Sequence, residues 1–364
     1  MFGDRLKLAR KKAGYSLRGL SNALDGDITA QAIGKYERRE MMPSSGNLTR
    51  LTKALGVSPE YLLSEQVEEL EDVTFRKRSG TSAAERARIE AEVIDRLQRY
   101  LTVEEILELD SVTWHARRFG NCFLGQDDDG EILAEDLRNK WNLGIDPIPN
   151  MTSLLEYRGI KVLLIGLPDH VSGLTCQVRR QRQKKKVPVI VVNRKNTLER
   201  RRFTLAHELA HRLIDDSSPV DHEKASDVFA GAFLVPRDHL VIEIGKTRKA
   251  IGYQELIQLK RMYRVSAAMM LVRFKQLDVI DQSTLAYAFQ TFAHGWRSRE
   301  PEPLENYGEE GRHEVPRRFE RLCYWALAED LISLGKAGEL LQQPLDRVVQ
   351  GLRGPSETDA DHRV

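Results

Sequence analysis

His207, Glu208 and His211 in "FTLAHELAH" have the types and spacing for metal-assisted hydrolysis: two imidazoles four residues apart, with a carboxylate beside the first. On a helix of 3.6 residues per turn, both imidazoles leave one face about a turn apart, and their neutral nitrogens can share one divalent cation such as zinc. Glu208 then has the reach to take a proton from water. H-E-x-x-H also arises by chance on polar helices, so its neighbours decide.

A catalytic zinc needs a third protein ligand and one open position for water. The nearby acidic side chains fall in "DDSSPVDHEKASDVFAGAFLVP", which turns at Ser218 and Pro219 and becomes helical, with Val228, Phe229, Ala232 and Phe233 as its apolar face and Pro236 as a stop. Glu223 and Asp227 lie four apart on one face. Glu223 is the expected third ligand, with His222 as a rival, and Asp227 is the expected acceptor for the second ring hydrogen of a ligating histidine.

"RRRFTLAHELAH" followed by "EKASDVFAGAFLVP" resembles the ImmA/IrrE family of zinc metallo-endopeptidases, whose pattern is an H-E-x-x-H helix and then E-x-x-A-[ND]-x-F-A-x-x-L-L-x-P. The resemblance implies a gluzincin-like domain with Zn2+ held by His207, His211 and Glu223, Asp227 on the family's Asn/Asp position, and Glu208 as general base. Ser226 stands for the usual Ala, Phe233 for a Leu, and Ala210 where Gly is frequent, all small or apolar exchanges. With "AEDLRNKW" and "PVIVVN" included, the likeness extends over roughly residues 130–275. In the implied mechanism zinc lowers the pKa of a bound water to about 7, and Glu208 moves its proton to the leaving amine. Tyr253, Tyr263 and His239 are candidates for the oxyanion, and the sequence selects none of them.

The elements that must hold this site are legible as patterns. "IKVLLIG", "GLTCQV" and "VPVIVVN" are short apolar runs bounded by Gly, Pro and Asn, which predicts a small three-stranded sheet. Asn196 and Glu199 predict a cap at the start of the H-E-x-x-H helix. "GEILAEDLRNKWNLGIDPIPNMTSLLEYRG" predicts two helices around a Pro-rich bend, and the stretch from Gln254 to Ile280 has helical periodicity. The run "RRQRQKKK" between the second and third strands reads as a solvated hairpin loop, or more sharply as a docking patch for an acidic partner or DNA phosphate.

A second constellation opens the chain. From Phe2 to Leu63 there are five short helical patterns, with Ser16 as an N-cap, Thr29 at the start of the third, and Ser58 before Pro59 at the start of the last. Residues 1–64 hold 11 Lys/Arg against 6 Asp/Glu, whereas "EQVEELEDV" just after them is acidic. Two short helices, a tight turn and an Arg-rich loop suit a module that sets one helix end in the major groove. The stretch resembles the Cro/repressor-type (XRE family) helix-turn-helix, with Arg39 where that family usually has Gly. By that resemblance Thr29, Ala30, Gln31 and Lys35 face base edges, while Arg18, Arg38 and Arg39 hold phosphates. So small a module is expected to bind a palindromic double-stranded operator as a homodimer.

The 364 residues are 41% hydrophobic and 30% charged, with a net charge of +2, enough apolar material for two or three domains. "VLLIGL", the longest apolar run, is far short of the roughly 20 residues of a membrane span, and the N-terminus has no signal-peptide apolar stretch, which predicts a cytoplasmic protein. Cys122, Cys176 and Cys323 are odd in number without C-x-x-C spacing, so a disulfide framework and a thiolate zinc knuckle are both excluded.

The predicted architecture is α+β and predominantly helical: a helix-turn-helix domain over 1–64, a linker and connecting helices over 65–129, a metallopeptidase domain over 130–300, and a helical module with a disordered tail over 301–364. Ser82 with Glu85, and Thr102 with Glu105, predict two helix starts in the linker, the charged helix serving as a solvated spacer or dimer interface. Two functions fit. One is a DNA-binding transcription regulator whose zinc endopeptidase cuts a repressor or antitoxin; the other is a regulator or antitoxin whose peptidase-like domain senses a ligand or partner without cutting.

Overall fold

The computed structural model describes residues 2–63, 69–75, 81–109, 122–179, 186–296 and 298–354. Helices α1 (Phe2–Lys12), α2 (Leu17–Ala23), α3 (Ala30–Glu37), α4 (Ser45–Leu55) and α5 (Pro59–Leu63) begin where capping chemistry puts them. Ser16, Thr29, Ser44 and Ser58 each accept the backbone N–H of the third residue on, satisfying a donor that the first helical turn leaves over. Leu6, Leu20, Ile33, Tyr36 and Leu51 close a core between them. Arg39 sits at φ +64°, the left-handed region that favours glycine, which explains why glycine is usual there in the family the segment resembles.

All three expected strands form: β2 (Lys161–Ile165), β3 (Gly173–Arg179) and β4 (Lys186–Asn193). A fourth, β1 (Glu69–Phe75), joins them from the acidic stretch read as a connector. The order is β1-β3-β4-β2, with β1 antiparallel to β3, β3 antiparallel to β4, and β2 parallel to β4. A strand at the sheet edge tolerates the charges that made this segment look like a connector. Residues 180–185, most of the basic run, and the tail 355–364 lie outside the described residues.

Helix α6 (Ala83–Ile106) starts on the Ser82–Glu85 capping box and runs through Thr102, whose hydroxyl donates to the Gln98 carbonyl instead of starting a new helix. It is not a solvated spacer. Ile89, Val93, Leu97 and Leu101 pack on the sheet, and the next face docks α1 through Lys12 on Asp95 at 2.6 Å and Arg5 on Gln98.

The main core gathers α7 (Asp129–Lys140), α8 (Met151–Tyr157), α9 (Leu198–His211), α10 (His222–Leu234), α11 (Arg237–Ile244), α12 (Tyr253–Tyr263), α13 (Ala267–Gln276) and α14 (Gln282–Gln290). Phe229 and Phe233 stack at 5.4 Å, and Trp141 meets Phe233 edge-on at 5.8 Å. Buried charges tie this core together in pairs, because a lone buried charge is too costly. Arg273 grips Glu131, Arg201 holds Glu305, Arg202 holds Glu314, and Lys260 sits between Glu199 and Glu300.

Glu199 is therefore an ion-pair partner rather than a capping residue, and Thr197, not Asn196, caps α9. The three C-terminal helices, α15 (Arg318–Ala328), α16 (Leu334–Leu341) and α17 (Leu345–Arg353), pack on Tyr100 and Val103 of α6. Arg318 and Lys161 share the buried Glu104 at that joint. Among the described residues no helix is long and apolar enough to cross a membrane, and the three cysteines are free thiols.

Candidate metal centre

Helix α9 lies across β3 and β4 with its H-E-x-x-H face turned toward α10. The close approach depends on Gly173 at the head of β3: a Cβ there would stand 2.5 Å from Thr204 Cγ2 and 2.7 Å from the Val191 carbonyl oxygen. The same Cβ position is 3.7 Å from Glu208 Cγ, so Glu208, 1% exposed, lies beside the strand. His207 is fully buried and His211 partly exposed.

Helix α10 is set by its cap. Asp221 accepts the backbone N–H groups of Glu223 and Lys224, which fixes the first turn, and the buried Phe229–Phe233 face orients the rest. Glu223 in that first turn then faces the two imidazoles. His207 Nε2 is 3.0 Å from His211 Nε2 and 3.6 Å from Glu223 Oε2, and His211 Nε2 is 3.4 Å from Glu223 Oε1. These are the spacings a metal asks for: donors about 2.0–2.1 Å from a tetrahedral ion lie about 3.3 Å apart. One imidazole–imidazole–carboxylate set, with all three ligand atoms within 4.8 Å of one another, thus fits zinc in both donor type and separation.

One turn further along α10, Asp227 Oδ1 lies 2.7 Å from His207 Nδ1. A carboxylate can only accept, so His207 carries its hydrogen on Nδ1 and its Nε2 lone pair faces the cluster. Asp227 therefore fixes both the tautomer and the ring plane. Ser226, the departure from Ala, is fully buried.

Other candidates go elsewhere. His222 is the first residue of α10, and the set that converges contains Glu223 instead. Tyr263 and His239 bond each other at 2.7 Å, and the Tyr253 hydroxyl donates to Glu302. Sequence reasoning missed a groove of 790 Å³ that reaches Phe203 and Asp227 on the flank of the centre, with Met269 and Trp296 along it. Its walls come from the β2–β3 loop, the residues before α9, α9, α10, α13 and the segment after α14, so no single stretch of sequence carries a signal for it.

In the N-terminal module, Gln31 and Lys35 are exposed on α3 and Ala30 is half-buried, while Thr29 spends its hydroxyl oxygen on capping Ala32 N–H at 3.1 Å. Arg18 is exposed on α2. Arg38 pairs with Glu40 at 2.6 Å and Arg39 with Asp4, exposed contacts that cost little to exchange for a phosphate.

Compared with known families, residues 6–62 match the family described as Helix-turn-helix and residues 155–275 the family described as IrrE N-terminal-like domain. The chain is 44% identical over 63 residues to the SPbeta prophage-derived uncharacterized HTH-type transcriptional regulator YonR of Bacillus subtilis (strain 168). That stretch is 17% of this chain and 56% of the relative, so the chain spans little more than half of that protein's length. No solved structure matches.

Proposed function

From an XRE-type helix-turn-helix over residues 6–62 and an IrrE/ImmA-like region over 155–275, we propose that this is a DNA-binding transcription regulator carrying a zinc-dependent endopeptidase that cuts a repressor, an antitoxin or another regulatory protein. In this reading residues 1–64 bind a palindromic operator as a homodimer, residues 130–300 carry out hydrolysis, and the protein works in the cytoplasm. The observation that supports it most is the convergence of His207, His211 and Glu223 with Glu208 buried beside them. A purely structural metal has no use for that extra carboxylate.

Zinc, when bound, supplies a Lewis acid that polarises a carbonyl and acidifies water. His207, His211 and Glu223 hold it, and Asp227 keeps the His207 lone pair aimed inward. Glu208 acts as general base for the attacking water and returns the proton to the leaving amine. Gly173 lets the strand pass close enough to wall this carboxylate off from bulk solvent. The groove past Phe203 and Met269 receives the polypeptide. On the DNA side Gln31 and Lys35 read bases, and Arg18, Arg38 and Arg39 meet phosphates.

New protein N-termini, compared in cells carrying the intact protein and the Glu208→Gln variant under inducing conditions, test the reading. A peptide bond cut only with the intact protein supports it. Identical N-termini point instead to the non-proteolytic regulator, whose domain senses a ligand or partner.

A further inference from the structure

A cleft of 1040 Å³ opens where four parts of the chain meet. The end of α1 and the α4–α5 turn form one wall, the polar face of α6 the second, the loop after β2 the third, and the end of α16 the fourth. That is the volume of an organic ligand of cofactor size. None of His207, Glu208, His211, Glu223 and Asp227 lines it.

Five cations line it against four carboxylates, and of the cations Lys12, Arg96 and Lys195 are paired with Asp95, Glu92 and Asp169. Glu85, Glu92, Asp95 and Glu339 all line the cleft, and each is already engaged: Glu85 with the Ser82 backbone N–H, Glu92 with Arg96, Asp95 with Lys12 and Arg99, and Glu339 with Lys336. Among the cations, Arg88 is exposed and has no ionic or hydrogen-bonding partner among the described residues. Arg99 donates to the Leu340 carbonyl and to Asp95, and its Nε is buried with no acceptor among the described residues. A guanidinium carries five N–H donors, so Arg99 can take an anionic acceptor on its terminal nitrogens beside these partners. Arg88 and Arg99 stand eleven residues apart on α6, about 16 Å along the helix, with Ile89 between them and Ile165 and Leu167 on the same cleft.

We propose that this cleft is an effector site for an elongated organic anion with acidic groups toward both ends, one on Arg99 and Arg96, the other on Arg88, and an apolar body over Ile89 and Leu167. The site is wired to the DNA-binding module. Asp95 holds both Arg99 and Lys12 of α1, so an anion accepted by Arg99 competes with Asp95 and changes how firmly α1 is docked. Effector occupancy then biases the presentation of α3 to DNA.

The test uses the full chain and bis-anilinonaphthalene sulfonate, an elongated apolar dianion, titrated by fluorescence. Binding saturates at one site and is at least tenfold tighter than for the single anilinonaphthalene sulfonate. Gly166→Phe places a side chain in open cleft, since nothing lies within 4 Å of its Cβ position, and Arg88→Glu reverses the exposed charge. Each weakens binding at least tenfold, whereas Arg347→Glu, the same charge change at an exposed site on α17, leaves it unaltered. Should Gly166→Phe lose its folded circular dichroism spectrum, the Arg88→Glu and Arg347→Glu pair decides alone. Equal binding by those two variants, or equal affinity for the single and double probes, overturns the site. Unchanged hydrogen exchange in residues 2–12 on probe binding overturns the coupling to α1.

Discussion

Glu156→Gln removes a proton equilibrium that burial has moved into the physiological range. Glu156 is 8% exposed on α8, its Oε1 meets no partner among the described residues, and the other polar contacts at the site are backbone N–H groups of Arg317 and Arg318 at the start of α15. Burial outweighs those donors and the nearby Arg318 and Lys161, pushing the carboxyl from 4.5 up to about 7. A folded-state pKa above the unfolded one means that the folded chain binds the proton more tightly. The stability it contributes is complete below 4.5 and is lost as pH rises through about 7. At 1.36 kcal/mol per pH unit the whole effect is about 3 kcal/mol, most of which falls between pH 5 and pH 8. Glutamine keeps a carbonyl for the backbone donors and cannot ionise. Urea unfolding, followed by tryptophan fluorescence and circular dichroism, is expected to show the variant gaining about 2–3 kcal/mol over the parent protein from pH 5 to pH 8. Parallel stability curves over that range refute the reasoning.

Further predictions concern the centre and its supports. Asp227→Ala frees the His207 ring and is expected to weaken metal affinity about 10–100-fold in competition with a chelator; unchanged affinity contradicts the orienting role. Gly173→Ala drives a methyl into Thr204 and into a carbonyl oxygen that cannot yield, costing about 1–3 kcal/mol in urea unfolding, and a variant as stable as the parent speaks against the close approach. Lys260→Met leaves Glu199 and Glu300 buried without their shared cation and is expected to cost about 3–5 kcal/mol. A loss below about 1 kcal/mol removes that pair from the list of supports of α9.

What was legible in the sequence is what local spacing dictates. His207 and His211 share a face because four residues make a turn, and Ser16, Thr29 and Ser58 mark helix starts because each hydroxyl reaches a backbone N–H three residues on. Glu223 and Asp227 are nearly as local, since α10 follows α9 after ten residues and the two carboxylates stand one turn apart on its face. Strand β1 was hidden by its charges: Glu69, Glu71 and Asp72 argue for a connector until the sheet supplies an edge for them. Glu199 was misread for the opposite reason. It stands at the position of a capping partner, and only Lys260, 61 residues later, shows that the carboxylate is spent on a buried ion pair. Such pairings across distant segments, like the Arg201–Glu305 and Arg202–Glu314 pairs that strap the chain after α14 onto α9, leave no periodic trace in sequence.

The most direct measurement is the zinc content of the purified full-length protein beside its Glu208→Gln, His211→Ala and Glu223→Ala variants, after dialysis against a weak chelator. One zinc ion per chain in the parent and in Glu208→Gln, with loss of the ion from His211→Ala and Glu223→Ala, is the predicted outcome. A parent protein that retains no metal, or ligand variants that hold it as firmly as the parent, contradicts the assignment of this centre.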